Sequence, residues 1–481
     1  MISRRKLLTG AGALAAAAAL PGRPVWADGP VGESWAPYPS VATWGGPKKI
    51  LEIFLYGGLS AWESFHVDLR DTLFKANLLS AFNSTALLTH CGSTQTGATV
   101  QTLGGMKWSV ATSPLWSRPD LLARTRVVTM THEFSAHPVA IPLALTGRPL
   151  GDARAASLGA AIKRRHPEQH TSYVLMPDSG RFFGGDDKAF SAWLSVGAHG
   201  SAARPVLVPM SSGVSEMADW ASRTGVNAGA DALTSYYADL YETNLDGSRS
   251  RGYDAYRAAL DSLPGSPNLT SVFNSSLRGE GASLAHCSTS VVAPGTPFNT
   301  TAACLDMAAW LFNTKNTRYV GMVDVGIGKD TGAAYDGHGH TAGVTFGNLF
   351  LLLKELSRVT STATPAANRI SVDDTLIILN TEFGRTPDPQ GSGGTGRDHY
   401  GRGYVVVLIG GPIQPTASGE PKLIGTIDWT AGSPAGRYTP ANLACVALTA
   451  AGIDPHGTDN FAFQELPPGM PSSYEQPFFQ A

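Results

Sequence analysis

One carboxylate and two imidazoles stand at alternate positions in a glycine-rich stretch that reads YDGHGH. They belong to Asp336, His338 and His340. In an extended segment, side chains two positions apart point to the same side, so these three can converge on one point. Carboxylate and imidazole groups at one point are the ligands of a divalent metal ion. The pattern favours a metal-binding loop, and the alternative is a solvated turn with surface histidines.

Further groups of this kind flank two apolar runs later in the chain. Glu382 and Arg385 follow the run TLIILN, and Arg397, Asp398 and His399 come shortly before the run YVVVLIGG. Open α/β sheets carry their ligand sites at strand ends, so we expect metal ligands and a base here. A guanidinium pairs bidentately with a tetrahedral oxyanion, which would assign both arginines to a substrate. Their alternative role is an ordinary salt bridge.

Two serines also lie just beyond apolar runs. Ser135 and His137 follow the run RVVTM, and a nucleophilic serine at this position would face the positive end of a helix dipole. The alternative is that Ser135 caps the helix, with Pro138 in its first turn. Ser60 and Glu63 follow the first apolar run, where they form either a second wall of the site or a capping box.

The order of apolar runs predicts an α/β fold. Strands are predicted at 48–56, 126–130, 172–176, 318–326, 375–381 and 403–411, and helices at 157–165, 301–312 and 344–359. This alternation favours a mainly parallel sheet with helices on both faces. Apolar residues at three- and four-residue spacing predict a helical insertion over 217–277, and 278–301 has the composition of a linker.

The first 27 residues have the features of an export signal. An arginine pair precedes an alanine- and leucine-rich run and a small-residue end. The arginine pair matches the twin-arginine pattern, so we expect export of a folded protein to the periplasm or beyond, with 28–481 as the mature domain. The alternative is an ordinary secretory signal. In an oxidising compartment, Cys287 and Cys304 could form a disulfide.

Composition excludes several classes of partner. Lysine plus arginine total 36 against 38 aspartate plus glutamate, and no basic run follows the signal, so the sequence does not indicate a nucleic-acid partner. No apolar run approaches the roughly 20 residues that span a bilayer. Charge says little more about partners, and the candidate site leads us to expect a small-molecule or glycan substrate or, as an alternative, a protein.

Several motifs together resemble the bacterial family called domain of unknown function 1501. They are YGGLSAWESF, the run ending LALTGR, YDGHGH, DDTLIILNTEFGRTP, GRDHYGRGYVVVLIGG and NLACVALTAAGID. That family resembles a distant branch of the alkaline phosphatase and sulfatase superfamily. The resemblance implies a three-layer α/β sandwich whose site holds one or two divalent ions, Zn, Mn or Ca.

The resemblance also implies roles for individual residues. Ser135 corresponds to the superfamily's nucleophile, and Phe383 stands where a histidine usually follows Glu382. The usual aspartate after the first strand is absent, which leaves Ser60 or Glu63 in its place. The implied activity is hydrolysis of a phosphate or sulfate ester, and the alternative is a degenerate relative that only binds a ligand or partner protein. The metal set is Asp336, His338, His340, Glu382, Asp398 and His399; the catalytic set is Ser135, Glu382 and Arg385; the substrate set is His137, Arg397 and Ser60.

Overall fold

The structure is a computed structural model. The described residues are 49–67, 100–152, 155–166, 169, 171–176, 188–197, 203–208, 300–324, 335–339, 341–362, 369–389, 396–427, 435–453, 455 and 476–479. The predicted signal 1–27, the predicted insertion 217–277, Cys287 and His340 lie outside these residues.

An eight-stranded, mainly parallel sheet forms the centre of the fold. Its strands follow the spatial order β14-β4-β13-β10-β1-β7-β5-β6. Only β13 runs antiparallel to its neighbours within this sheet. The strands are β1 Lys49–Leu55, β4 Thr125–Met130, β5 Tyr173–Met176, β6 Val206–Leu207, β7 Tyr319–Asp324, β10 Thr375–Asn380, β13 Tyr404–Gly410 and β14 Lys422–Ile424.

Three two-stranded ribbons accompany this sheet in the described part of the chain. They are β2 Val100–Leu103 with β3 Met106–Ser109, β8 Thr360–Ser361 with β9 Ile370–Ser371, and β11 Gly384–Arg385 with β12 His399–Tyr400. The last of them pairs Arg385 with His399 in register. It therefore joins the two segments in which the sequence places candidate site residues.

The central strands are buried on both faces, which is why they read as continuous apolar runs. In β1, every residue of KILEIFL is buried. Alternate side chains enter two separate cores: Leu51 and Ile53 pack in one, and Ile50 and Phe54 in the other. The sheet is thus the middle layer between two apolar cores.

Helices cover both cores. Among the described residues, the α-helices are α1 Pro119–Leu122, α2 His137–Thr146, α3 Leu158–Arg165, α4 Thr300–Thr314, α5 Thr341–Val359, α6 Pro440–Ala450 and α7 Gln476–Phe479. Two 3₁₀ helices in the same residues run over Val110–Leu115 and Lys188–Leu194. Side chains of α4 and α5 pack in the first core, and side chains of α2, α3 and α6 pack in the second. No helix of the described residues is long and apolar enough to cross a membrane.

The predicted strands and helices match the structure to within a few residues at each end. The helix predicted from residue 344 begins earlier, at Thr341, and the run after Ser135 forms α2, which ends at Gly147 in the left-handed conformation (φ 68°). The capping role considered for Ser135 is wrong, since Ala136 is the N-cap and has no side-chain cap. Pro138 does lie in the first turn.

Candidate metal centre

The topology brings five chain segments to one edge of the sheet. β1, β4, β7 and β10 are parallel to one another, so their carboxyl ends share this edge. Because β13 runs the opposite way, its first residue pairs with the last residue of β4, Tyr404 with Met130. The segment before β13 therefore meets the segments that follow the four parallel strands.

Two glycines after β1 allow the segments to approach backbone to backbone. Gly57 and Gly58 have φ of 109° and 95°, a backbone region that residues other than glycine rarely adopt. A Cβ at Gly57 would lie 2.3 Å from the amide nitrogen of Asp336, and one at Gly58 would lie 2.7 Å from the ring of Phe383. Glycine is thus required where the first loop touches the loop that carries Asp336.

Asp336 is the point on which the candidate ligands converge. Its Oδ1 lies 3.0 Å from Nε2 of His399 and 3.1 Å from Nε2 of His338. Its Oδ2 lies 3.3 Å from Nε2 of His137. The carboxylate is partly exposed, so the cluster opens to solvent.

His137 directs Nε2 at this carboxylate. Its Nδ1 lies 2.8 Å from Oε1 of the buried Glu382, which also accepts the amide hydrogen of Gly57 at 2.8 Å. Since a carboxylate accepts, Nδ1 of His137 carries the hydrogen and Nε2 is free to bind a cation. Nε2 is buried and forms no hydrogen bond with the described residues.

His399 has the same arrangement. Its Nδ1 lies 2.8 Å from the backbone carbonyl of Ser135, which can only accept. The hydrogen of a neutral His399 is therefore on Nδ1, and Nε2 faces Asp336. Two histidines from different loops are thus fixed in the tautomer that ligates a metal ion.

A second, more exposed group shares His399. Nε2 of His338 lies 3.0 Å from Nε2 of His399. Nδ1 of His338 lies 3.4 Å from Oδ1 of Asp398. His338 and Asp398 are about half exposed. Ligand-type atoms therefore form two sets, His137 with Asp336 and His399, and His338 with Asp398 and His399.

His132, which sequence reasoning missed, shows how a structural histidine differs. Its Nε2 lies 2.6 Å from the carbonyl of Glu382, and its Nδ1 accepts the amide hydrogen of Phe134 at 3.1 Å. Both ring nitrogens have partners, and burial lowers its pKa. Its position two residues beyond β4 is the signal from which the sequence could have identified it. His132 anchors the loop that leads to α2.

The pKa values follow from this geometry. Burial alone would lower the pKa of His137, but its interactions with Asp336 and Glu382 outweigh that effect and raise it to about 9. Burial would raise the pKa of Asp336, but contacts with His137, His399 and Arg385 hold it well below its usual range. With neutral histidines, Asp336 and Glu382 together carry one negative charge more than Arg385 offsets. The further cation is a proton on His137 in the metal-free protein, and a metal ion could take its place.

Arg385 lies behind the cluster instead of facing solvent. Its side chain is fully buried, and Nη2 donates to Oδ1 of Asp336 at 2.6 Å. Its other hydrogen bonds go to backbone carbonyls, those of Gly57, Gly58, Tyr335 and Arg397. The expected contact between Arg385 and a substrate is not available in this arrangement, because no part of the guanidinium reaches the surface.

Arg397 and Ser60 lie in the same buried layer. Arg397 donates to Oε1 of Glu63 from Nε at 2.8 Å and from Nη2 at 2.6 Å, and its Nη1 donates to carbonyls of the loop 386–387. The hydroxyl of Ser60 bonds to Oε2 of Glu63. These two residues, expected to bind substrate, instead link two loops beneath the cluster, and Glu63 forms a buried ion pair instead of a helix cap.

Ser135 is exposed at the mouth of the cluster. Its carbonyl holds His399, and its side chain precedes α2 by two residues. Pro138 removes one amide hydrogen from the first turn of α2, so this helix end offers fewer donors to an anion than the sequence suggested.

The structure thus brings together most of the residues that the sequence singled out. Asp336, His338, Asp398 and His399 lie in the cluster, His137 joins them, and Glu382 lies one step behind through His137. A search of the curated proteins finds no match to the chain. Residues 47–464 match the family model described as Protein of unknown function (DUF1501). Since this match covers most of its length, the chain belongs to the DUF1501 family.

Proposed function

We propose that this cluster binds a divalent metal ion and that the protein is an exported, metal-dependent hydrolase of phosphate or sulfate esters. The observation that carries the proposal is the pair of histidines, His137 and His399, whose Nδ1 atoms are held by Glu382 and by a carbonyl. Both rings are left with Nε2 directed at the carboxylate of Asp336. A neutral ring would direct a lone pair at this carboxylate, which is repulsive unless a cation, either a proton or a metal ion, lies between them.

The residues present fit a metal ion. Tetrahedral zinc has bonds of about 2.1 Å to nitrogen and oxygen, which places its ligand atoms roughly 3.4 Å apart. The nitrogen-to-oxygen separations at Asp336 are 3.0 to 3.3 Å. The buried Nε2 of His137 has no hydrogen-bond partner among the described residues. Glu382 occupies the outer position that carboxylates take behind a ligating histidine.

A bound ion would polarise the ester and lower the pKa of a water or hydroxyl beside it. The described residues would hold the ion and supply the nucleophile. Asp336, His137 and His399 hold the ion, and Glu382 keeps His137 in the ligating tautomer. Ser135 is the candidate nucleophile because the residue is exposed and its backbone carbonyl contacts His399.

Elemental analysis with anomalous scattering tests the metal, and ester hydrolysis tests the activity. We expect at least one Zn, Mn or Ca ion per chain, and turnover of at least one ester in a panel of phosphates and sulfates. His399→Gln should lose both metal and turnover, while the control Arg402→Gln, an exposed side chain in the same segment, should keep both. Ser135→Ala should keep the metal and lose turnover. Protein that neither contains nor takes up any of these ions would refute the proposal.

A second function, binding without hydrolysis, is favoured by one observation. Arg385 and Arg397 are both buried and bonded within the protein, so neither offers a guanidinium to the oxygens of a bound ester. A relative that had lost catalysis would still bind a metal and through it an anionic ligand or a partner protein. Metal uptake without turnover of any ester would favour this function.

The proposal includes an alkaline phosphatase-like architecture and twin-arginine export of residues 28–481. The central sheet with helices on both faces is compatible with that architecture. Replacing Arg4 and Arg5 by lysine should retain the protein in the cytoplasm, and export that continues through the general secretory route would contradict it.

A further inference from the structure

Arg385 is an unusual neighbour for a metal ligand, because it brings a full positive charge to the carboxylate that would hold the ion. Its guanidinium is buried, and Nη2 lies 2.6 Å from Oδ1 of Asp336. Nη2 also donates to the carbonyls of Gly57 and Tyr335, from the loops after β1 and β7. Three oxygens from two segments thus surround one nitrogen.

The other guanidinium nitrogens bind the remaining loops. Nε donates to the carbonyl of Gly58 at 3.2 Å, and Nη1 donates to the carbonyl of Arg397 at 3.2 Å. Backbone carbonyls and a carboxylate are the oxygen ligands that hard cations take in proteins. On the buried side of Asp336, the place of a cation is therefore already filled by the protein itself.

The two candidate ligand sets also compete for one atom. Both contain His399. Its Nδ1 is committed to the carbonyl of Ser135, which leaves Nε2 as its only ligating nitrogen. One nitrogen lone pair binds one ion, so the described residues provide for a single ion and not for two independent ones.

We propose that Arg385 is a positioning residue that acts as the fixed second cation of a one-metal centre. It holds Oδ1 of Asp336 from the buried side and orients the carboxylate toward the histidine Nε2 atoms. It contacts neither substrate nor ion. This inference rests on the proposed metal site, and it adds the number of ions and the origin of the second charge.

The test combines metal stoichiometry with a charge-conserving variant. Metal-free protein is titrated with Zn²⁺ or Mn²⁺ against a competing chelator, for wild type, Arg385→Lys and the control Arg118→Lys. Arg118 is partly buried, whereas Arg385 is fully buried. It pairs with Asp120 at 2.7 Å and donates to the backbone carbonyl of Ser357, away from the residues of the centre. Lysine keeps the charge at both positions and removes the planar fork.

We expect one ion per wild-type chain and a metal affinity about 10- to 100-fold lower in Arg385→Lys, the usual cost of losing an outer partner of a ligand. Arg118→Lys should bind metal like wild type. The visible spectrum of the Co²⁺ form provides a readout that lower stability alone would not move, since it reports the ligand geometry, and it should change only in Arg385→Lys.

The outcomes separate the two proposals. Wild-type protein that binds no metal would refute the proposed function and this inference with it. Two tightly bound ions per wild-type chain, or an Arg385→Lys variant with unchanged affinity and Co²⁺ spectrum, would overturn the inference and leave the metal-dependent function standing. If Arg385→Lys does not fold, the wild-type stoichiometry still decides between one ion and two.

Discussion

Two ion pairs in this protein have the same contacts and differ in burial, which allows a matched prediction. Arg397 reaches one oxygen of Glu63 from Nε and Nη2, at 2.8 and 2.6 Å. Arg402 reaches one oxygen of Glu133 from the same two atoms, at 3.1 and 2.8 Å. The first pair is 1% exposed on both sides, and the second is 55% and 72% exposed.

We expect Glu63→Gln to destabilise the protein by about 3 kcal/mol. Removing one partner of a buried ion pair costs about 3–5 kcal/mol, because the other charge stays buried without compensation. The lower end applies because Nη1 of Arg397 keeps its carbonyl acceptors at 386–387 and glutamine retains one oxygen for the guanidinium. Glu133→Gln should cost at most about 1 kcal/mol, because solvent screens an exposed pair.

The assay is urea unfolding of both variants and wild type in the presence of a chelator, so that metal binding does not contribute. The slope of free energy against urea should be the same in all three proteins, which makes the midpoints comparable. If Glu63→Gln lies within about 1 kcal/mol of Glu133→Gln, then burial does not determine the contribution of this pair. The assignment of Arg397 to the supporting layer would then be wrong.

Three further predictions concern the cluster itself. Gly57→Ala should lower the free energy of unfolding more than Gly105→Ala. Both positions have positive φ, but only the Cβ at 57 would lie 2.3 Å from Asp336. Urea unfolding of the two variants therefore separates the cost of the clash from that of the backbone strain. Glu382→Gln should lower metal affinity about 10- to 100-fold in a chelator competition, because it weakens the acceptor of the Nδ1 hydrogen of His137. The pKa of His137 is raised to about 9 from its ordinary 6.5, so in metal-free protein its contribution is complete below about pH 6.5 and is lost as the pH rises through 9. The free energy of unfolding, measured by urea titration with chelator from pH 6 to 9.5, should therefore fall by at most about 3 kcal/mol. This fall should be absent in His137→Gln.

Most of the sheet could be predicted because buried strands are written in the sequence as continuous apolar runs. The run at 375–381 became β10 and that at 403–411 became β13. Short ribbons such as β11 with β12 could not be predicted, since two residues give no periodicity and the pairing depends on contacts distant in sequence.

For the candidate site, the sequence indicated which residues gather but not which ones face solvent. Asp336 and His399 were expected to meet, and they do. Arg397 was assigned to substrate, yet it pairs with a glutamate 334 positions away, a contact that no local pattern reveals. Whether an arginine side chain turns inward or outward at a strand end is decided by such partners, so the split into a buried layer and an open cluster required the structure.

The antiparallel course of β13 also has a consequence for the order of folding. It brings His399 to Asp336, 63 positions apart, and the common direction of β4 and β10 brings Glu382 to His137, 245 positions apart. Contacts of this kind raise the contact order, and chains rich in them fold slowly because long loops must close first. The cluster can therefore exist only in chains whose sheet is complete. A metal ion whose free concentration is 100 times its dissociation constant adds about 2.7 kcal/mol to the stability of such chains alone. Metal binding would therefore distinguish fully folded molecules from those still folding.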